Sequence, residues 1–92
     1  MIFYEPEYTN QASEDLCKIP KNISKRILEK IIFFCSQKDP LKYAKRLKNS
    51  SFGTYRFRIG DYRIIFDLDQ KGNIKILMIL RIRHRKDVYK DF

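Results

Sequence analysis

Tryptophan is absent from this 92-residue sequence, which contains one histidine, two cysteines, three glycines and three prolines. Two isolated cysteines, Cys17 and Cys35, cannot form a disulfide framework, and with one histidine they do not match a metal-ligand pattern. No Gly-, Ser- or Pro-rich tract and no internal repeat interrupts the chain. We therefore expect one domain over residues 1–92, in a reducing compartment, with no bound metal and no cofactor.

Long apolar segments are also missing. The longest unbroken runs, Ile31–Cys35 and Ile76–Leu80, are far too short to span a bilayer. The opening residues Met1–Glu5 do not have the basic-then-apolar pattern of an export signal. We expect a soluble, cytoplasmic protein with no membrane partner.

Acidic residues are scarce, because 11 Asp and Glu face 20 Lys and Arg, which gives a net charge of +9. The excess begins after residue 40: residues 1–38 hold six basic and five acidic side chains, whereas residues 41–66 hold seven basic side chains and Asp61 alone. Such a charge favours a polyanionic partner, either nucleic acid, an acidic protein or an anionic surface.

The first half of the chain has a helical pattern. Ile2–Tyr4 could form a short strand, and apolar residues then recur every four positions over Tyr8–Leu16, in a helix that ends near Ile19-Pro20. A second amphipathic helix is predicted over residues 21–37, antiparallel to the first. Asp39-Pro40 resembles an N-cap and first turn, which predicts a brief helix through Leu47.

Beyond residue 54 the apolar period changes from 3.6 to 2. Residues 55–59 and 62–66 alternate around Gly60-Asp61, a two-residue hairpin signal. Residues 70–72 fit a three-residue loop, and a last strand is predicted over residues 73–83. The fold class is therefore α+β: an N-terminal strand and a helix pair on one face of an antiparallel sheet.

The length of each hairpin turn predicts which residues of neighbouring strands lie opposite each other. The two-residue turn pairs Arg58 with Arg63, and the three-residue loop pairs Arg63 with Ile79 and Asp67 with Lys75. The opposite charges of Asp67 and Lys75 mildly support that pairing. In this register four residues of the last strand enter the core: Ile76, Met78, Leu80 and Ile82.

The same register gathers arginines on the open face of the sheet. Like charges directly opposite each other destabilise a sheet, and guanidinium groups bind phosphates through two parallel hydrogen bonds. This face is therefore interpreted as an anion site, although a merely solvated basic face remains the alternative. It comprises Arg56, Arg58, Arg63, Arg81, Arg83 and Arg85.

Two segments resemble the RelE/ParE superfamily of bacterial and archaeal toxins. Tyr55–Phe66 (YRFRIGDYRIIF) is similar to the yRlRvGdYRiiy segment of that family, and His84–Tyr89 (HRKDVY) is similar to the hRkdvY ending of its RelE branch. The resemblance implies a RelE-like toxin domain of a toxin–antitoxin pair. RelE members cut mRNA in the ribosomal A site, so the implied partners are a cognate antitoxin, the ribosome and mRNA.

The resemblance also implies roles for individual residues. Arg63 would neutralise the scissile phosphate, Arg85 would stabilise the transition state or the leaving oxygen, and Tyr89 would stack on or orient the substrate. Arg56 falls where many members carry a basic residue, and Arg58 is its basic neighbour.

One position departs from the pattern. Thr54 occupies a site that is lysine in the best-known RelE sequences, which puts a general-base role there in doubt. His84 is the only side chain that ordinarily exchanges a proton near neutral pH. It could replace the missing lysine as proton carrier if its side chain reaches the bound RNA; otherwise its role is structural. The RNA-binding candidates are Arg58, Arg81, Arg83 and His84.

Two other functions remain open at this point. A ParE-like toxin would poison DNA gyrase without cleaving RNA. A non-catalytic basic module would bind nucleic acid through phosphate contacts alone, with graded losses as single arginines are removed.

Overall fold

Two helices pack on one five-stranded sheet in the computed structural model, which describes residues 2–47 and 55–86. The predicted α+β class is confirmed. The elements are β1 (Glu5–Tyr8), α1 (Asn10–Cys17), α2 (Lys21–Cys35), a 3-10 turn (Pro40–Tyr43), β2 (Ala44–Arg46), β3 (Tyr55–Ile59), β4 (Tyr62–Lys71) and β5 (Ile74–His84).

The sheet is mixed rather than wholly antiparallel as predicted, with the strand order β1-β5-β4-β3-β2. β1 runs parallel to β5, and the other neighbouring strands are antiparallel. The predicted strand at Ile2–Tyr4 is wrong, because the strand lies at Glu5–Tyr8 and includes Pro6. An edge strand tolerates proline, whose missing N–H costs no ladder hydrogen bond when it faces away from the sheet.

Both predicted helices form. Thr9 caps α1, and its Oγ1 accepts a hydrogen bond from the Ala12 N–H at 3.1 Å. α2 buries Ile27, Ile31 and Phe34 at the spacing of one helical face. Among the described residues, neither helix is long and apolar enough to cross a membrane.

The predicted third helix, from Asp39 through Leu47, is wrong. A single 3-10 turn covers Pro40–Tyr43, and the chain then extends as β2. β2 pairs with β3, with Ala44 opposite Phe57 and Arg46 opposite Tyr55. Pairing with a neighbouring strand thus overrides a local pattern that is compatible with a helix.

The core joins the layers through aromatic rings. The Phe57 ring lies between those of Phe34 and Phe66, at centroid distances of 4.0 and 4.1 Å. Phe57 and Phe66 are fully buried. This stack fixes α2 against the middle of β3 and β4.

The first hairpin follows the predicted register in full. Ile59 lies opposite Tyr62 and Arg58 lies opposite Arg63, which leaves Gly60-Asp61 as a two-residue turn. Gly60 has φ = +57°, the left-handed conformation that such turns require at their first central position.

The second hairpin was predicted incorrectly. Lys71 lies opposite Ile74, so the turn is Gly72-Asn73 rather than residues 70–72. Asp67 lies opposite Met78 and on the other face of the sheet from Lys75, which refutes the predicted pair. Gly72 has φ = +60°. Both the predicted three-residue loop and the observed two-residue turn accept a glycine with positive φ at residue 72, so this glycine does not distinguish between them.

The core face of β5 changes accordingly. Leu77 and Ile79 join the core cluster in place of Met78 and Leu80, while the prediction for Ile82 is confirmed. Ile76 is buried, as predicted, but it lies outside that cluster, on the opposite face of the sheet from Leu77. The register between β4 and β5 shifts by one residue, which leaves Leu80 without a partner in β4. Beyond this bulge the side chains of β5 again lie on the faces of the sheet that were predicted for them. The two residues that this returns to the arginine face are Arg81, opposite Ile65, and Arg83, opposite Arg63.

The two thiols differ in environment. Cys17 is exposed, whereas Cys35 is fully buried and its burial raises the thiol pKa to about 11. Because the thiolate is the reactive form, we expect a thiol reagent at neutral pH to modify Cys17 in the native protein and Cys35 only in denaturant. Mass spectrometry of the alkylated protein measures this. Two rapid modifications of the native protein would contradict it.

Candidate functional site

Three arginines form one row across the face of the sheet opposite the helices. Arg58, Arg63 and Arg83 lie directly opposite one another on β3, β4 and β5, where neighbouring strands are about 4.8 Å apart. The next row holds Arg56, Ile65 and Arg81. Cationic side chains in adjacent rows repel one another, so this arrangement is costly unless an anion or a nearby acceptor compensates.

Arg63 is the only charged residue that is buried in the described part of the chain, with 7% of its surface exposed. Its Nη1 donates to the carbonyl oxygens of Gly60 and Tyr62, at 3.3 Å each. Burying a charge is expensive unless hydrogen bonds satisfy it. The turn therefore fixes the orientation of this guanidinium.

Arg85 contacts the same turn from the end of β5. Its backbone N–H donates to the Asp61 carbonyl oxygen at 2.7 Å, and its Nε lies 3.7 Å from Asp61 Oδ1. Unlike Arg63, it is exposed. Arg63 thus contacts Gly60 and Tyr62, and Arg85 contacts Asp61 between them.

Arg81 is engaged by a residue that the sequence interpretation missed. Asp15 of α1 accepts hydrogen bonds from Arg81 Nε at 2.9 Å and from Arg81 Nη2 at 3.2 Å. Asp15 Oδ2 also accepts from the Ile82 N–H at 2.9 Å. The carboxylate therefore ties α1 to the edge of β5 beyond the end of β1, where none of the described strands pairs with that edge.

No sequence signal marks that contact. Asp15 and Arg81 are 66 positions apart, and their approach requires both the parallel pairing of β1 and the bulge at Leu80. Thr9 reinforces the same junction, because its Oγ1 donates to the Leu80 carbonyl oxygen at 2.8 Å.

His84 faces the helix layer next to Tyr62. Their ring centroids are 5.3 Å apart with an edge-to-face angle of 85°, and the Nδ1 of His84 accepts from the Lys86 N–H at 3.3 Å. A neutral His84 therefore carries its proton on Nε2. Tyr89 and Thr54 lie outside the described residues. Over residues 2–47 and 55–86, no group of histidine, cysteine and acidic side chains could hold a metal ion.

Comparison with known proteins assigns this chain to a family. A family model described as the ParE toxin of type II toxin–antitoxin systems (parDE) matches residues 7–89. The chain belongs to the RelE/ParE toxin superfamily. A curated relative, Toxin RelG of Mycobacterium tuberculosis, is 32% identical over 87 residues, which is 95% of this chain and 97% of the relative.

Solved structures of RelE/ParE relatives share the fold. The RelBE2 toxin–antitoxin complex of Mycobacterium tuberculosis matches with a TM-score of 0.76 and 32% identity, over 92% of this chain and 94% of that chain. The archaeal RelE–RelB complex of Pyrococcus horikoshii matches with a TM-score of 0.66 and 26% identity, over 91% and 97%.

Membership in the RelE/ParE superfamily confirms the resemblance found in the sequence and makes the protein a toxin of a type II toxin–antitoxin system. The matched range includes the Gly60–Tyr62 turn and the arginine row. The superfamily name covers both RelE and ParE toxins, so the chemistry of this toxin has to be argued from its own residues.

Proposed function

We propose that this toxin is a ribosome-dependent endoribonuclease that cleaves mRNA in the A site. The observation that carries the proposal is that Arg63 and Arg85 both contact the Gly60–Tyr62 turn. A substrate phosphate beside this turn would meet one buried, oriented guanidinium and one exposed guanidinium. Such preorganised donors stabilise a transition state most effectively.

The reaction needs positioning and charge stabilisation more than a strong nucleophile. The RNA 2′-oxygen attacks the adjacent phosphorus, and the bond from phosphorus to the 5′-oxygen breaks, which leaves a cyclic phosphate and a 5′-hydroxyl. The 2′-hydroxyl gives up a proton and the 5′-oxygen receives one. In this proposal Arg63 neutralises the phosphate and Arg85 stabilises the phosphorane or the leaving oxygen. His84 pairs with Tyr62 on the face of the sheet opposite Arg63, so no proton transfer is assigned to it.

The remaining arginines would bind the RNA backbone. Arg58 and Arg83 flank Arg63 in the same row, and Arg56 lies in the next, so phosphates on either side of the cut would contact them. Tyr89 is proposed to stack on the substrate. Arg81, which the sequence interpretation gave to RNA, has its guanidinium engaged by Asp15, so we assign it to holding α1 against β5.

A cognate antitoxin is the proposed protein partner. The solved relatives of Mycobacterium tuberculosis, Methanococcus jannaschii and Pyrococcus horikoshii are complexes of a toxin with its antitoxin. The net charge of +9 would attract an acidic antitoxin segment that folds on binding.

Incubation with programmed ribosomes and with naked RNA tests the proposal. We expect cuts in the A-site codon only when ribosomes are present, mapped by primer extension. The matched family model, which carries the ParE name, supports a second candidate, a gyrase poison. DNA breaks in a gyrase assay without loss of RNA would select that candidate, and binding without either kind of cleavage would select a non-catalytic module.

Two glycines with positive φ in the described part of the chain provide a matched pair of variants. Gly60 and Gly72 have φ values of +57° and +60°, and no atom lies within 4 Å of a Cβ added at either. Gly60→Ala and Gly72→Ala should each cost about 1–2 kcal/mol of stability through backbone strain. Of these two glycines only Gly60 supplies a carbonyl acceptor to Arg63, and strain at this position would displace that acceptor. We therefore expect Gly60→Ala alone to slow cleavage, by about 10-fold or more.

Urea denaturation and single-turnover cleavage on ribosomes measure the two effects separately. Equal losses of cleavage rate in both variants would show that the Gly60 turn has no special part in the reaction.

A further inference from the structure

A cleft opens between the C-terminal end of α1 and the last residues of β5. Its volume is about 340 Å³, and Asp15, Lys18, Tyr62, Arg83 and His84 are among its lining residues. This volume lies within the range of sites that hold a small organic group.

One wall of the cleft is aromatic. Tyr62 and His84 are cross-strand partners on β4 and β5, and their rings meet edge to face at 5.3 Å. Both side chains are only partly buried, so part of each ring faces the cleft. A flat heteroaromatic group gains by stacking on such rings.

Apart from Ile19 and Ile82, the rest of the lining is charged and predominantly cationic. Lys18, Arg81 and Arg83 contribute three positive charges against the single carboxylate of Asp15, which is already bonded to Arg81 and to the Ile82 N–H. Lys18 is exposed at the end of α1. A ligand that combines a flat ring with a negative charge fits both properties.

The cleft adjoins the proposed site of cleavage. Tyr62 lies between Asp61 and Arg63 in the chain, and His84 immediately precedes Arg85. Because side chains alternate along a strand, Tyr62 and Arg63 face opposite sides of the sheet. A strand of RNA that crosses the end of β4 and β5 could therefore leave one phosphate at the arginines and place the next base in the cleft.

We propose that this cleft binds one nucleotide of the RNA next to the scissile phosphate, with its base against Tyr62 and His84 and its phosphate near Lys18. This inference rests on the proposed ribonuclease function. It makes Tyr62 a determinant of nucleotide preference and Lys18 a phosphate contact that is independent of sequence. It also favours RNA over an acidic peptide, whose side chains would not use the aromatic wall.

The first test is the nucleotide preference of cleavage on ribosomes programmed with all A-site codons. Tyr62→Leu keeps an apolar side chain without the π-face, and Tyr43→Leu is the matched control, since Tyr43 is exposed in the 3-10 turn. We expect Tyr62→Leu to flatten the preference at one position beside the cut and to lower kcat/KM there about 10-fold. An unchanged preference, as in Tyr43→Leu, would overturn the proposal.

Lys18→Glu is a second variant that tests the cleft if Tyr62→Leu fails to fold. Lys18 is exposed, so its replacement should leave the fold intact. It should weaken cleavage of the preferred codons without lowering the melting temperature. Wild-type cleavage by a folded Lys18→Glu protein would remove Lys18 from the site.

A binding test separates this inference from the proposed function. NMR spectra of the full-length Arg85→Ala protein are recorded with a trinucleotide that carries a 2′-deoxy sugar at the cut, and with an acidic peptide. Shifts of the Tyr62 and His84 ring signals with the trinucleotide support the cleft even if ribosomes are not cut. Shifts with the peptide alone would overturn it and make the cleft a protein-binding site.

Discussion

Replacement of Arg85 by alanine is expected to lower kcat/KM for ribosomal mRNA cleavage by about 100-fold or more, and to relieve growth inhibition in cells. The loss follows from removing a preset donor to the phosphorane or the leaving oxygen. The fold should be unaffected, because the side chains of Arg85 and Asp61 are 54% and 65% exposed and an exposed ion pair contributes little to stability.

Arg46→Ala is the matched control for this variant. Arg46 is an exposed arginine on β2 and pairs with Tyr55, at the end of β3 away from the Gly60 turn. Its removal should cost only the few-fold expected of one phosphate contact. Both variants should retain binding of the antitoxin and the wild-type melting temperature. Cleavage by Arg85→Ala within about threefold of the control would remove Arg85 from the catalytic group.

A non-catalytic module predicts a different pattern. If the arginines only bind phosphates, removal of Arg58, Arg83 or Arg85 should weaken binding to a similar extent and reduce its salt dependence by similar steps. In the proposed nuclease, loss of Arg85 lowers the rate and leaves binding almost unchanged. Binding isotherms over a salt series, measured beside cleavage rates, distinguish the two.

The part of the site on the first hairpin could be predicted from the sequence. Between Tyr55 and Phe66 the two faces differ in polarity, and Gly60-Asp61 marks the turn, so both the register and the face of Arg63 follow from local rules. Arg58 and Arg63 were therefore paired correctly without any long-range information.

The β5 strand carries no such marks. Its run from Ile76 to Leu80 is apolar at every position, so the alternation that fixes a register is absent. Gly72 fits the third position of a loop over residues 70–72 and equally the first position of the turn Gly72-Asn73. The bulge at Leu80 shifts the rest of β5 by one residue. Arg81 and Arg83 therefore lie on the predicted face of the sheet although the predicted register was wrong.

The contact of Asp15 with Arg81 and the Ile82 N–H could not be predicted from local sequence rules for another reason. α1 reaches the edge of β5 only because β1 inserts parallel to it and ends at Tyr8, opposite Ile79. From that point Thr9 and Asp15 take over as partners of the strand edge. A contact of this kind depends on the assembled topology and cannot be read from any one segment.

Asp15→Ala is expected to be the most destabilising single change among the charged residues discussed. It removes the acceptor of three hydrogen bonds, two from Arg81 and one from the Ile82 N–H. The side chains of Arg81 and Asp15 are only 22% and 12% exposed, and loss of one partner of a largely buried pair costs about 3 kcal/mol or more. In a domain of this size the melting temperature should fall by about 10 °C or more.

Two companion variants identify the cause of that loss. Glu14→Ala removes an adjacent, exposed acid and should change stability by less than about 0.5 kcal/mol. Asp15→Asn keeps an oxygen for the Ile82 N–H but loses the charge, so its stability should lie between those of the wild type and Asp15→Ala. Hydrogen exchange at Ile82 should accelerate in Asp15→Ala, because its amide then lacks its acceptor. Equal melting temperatures for Asp15→Ala and Glu14→Ala would contradict the role of this ion pair in holding α1 to β5.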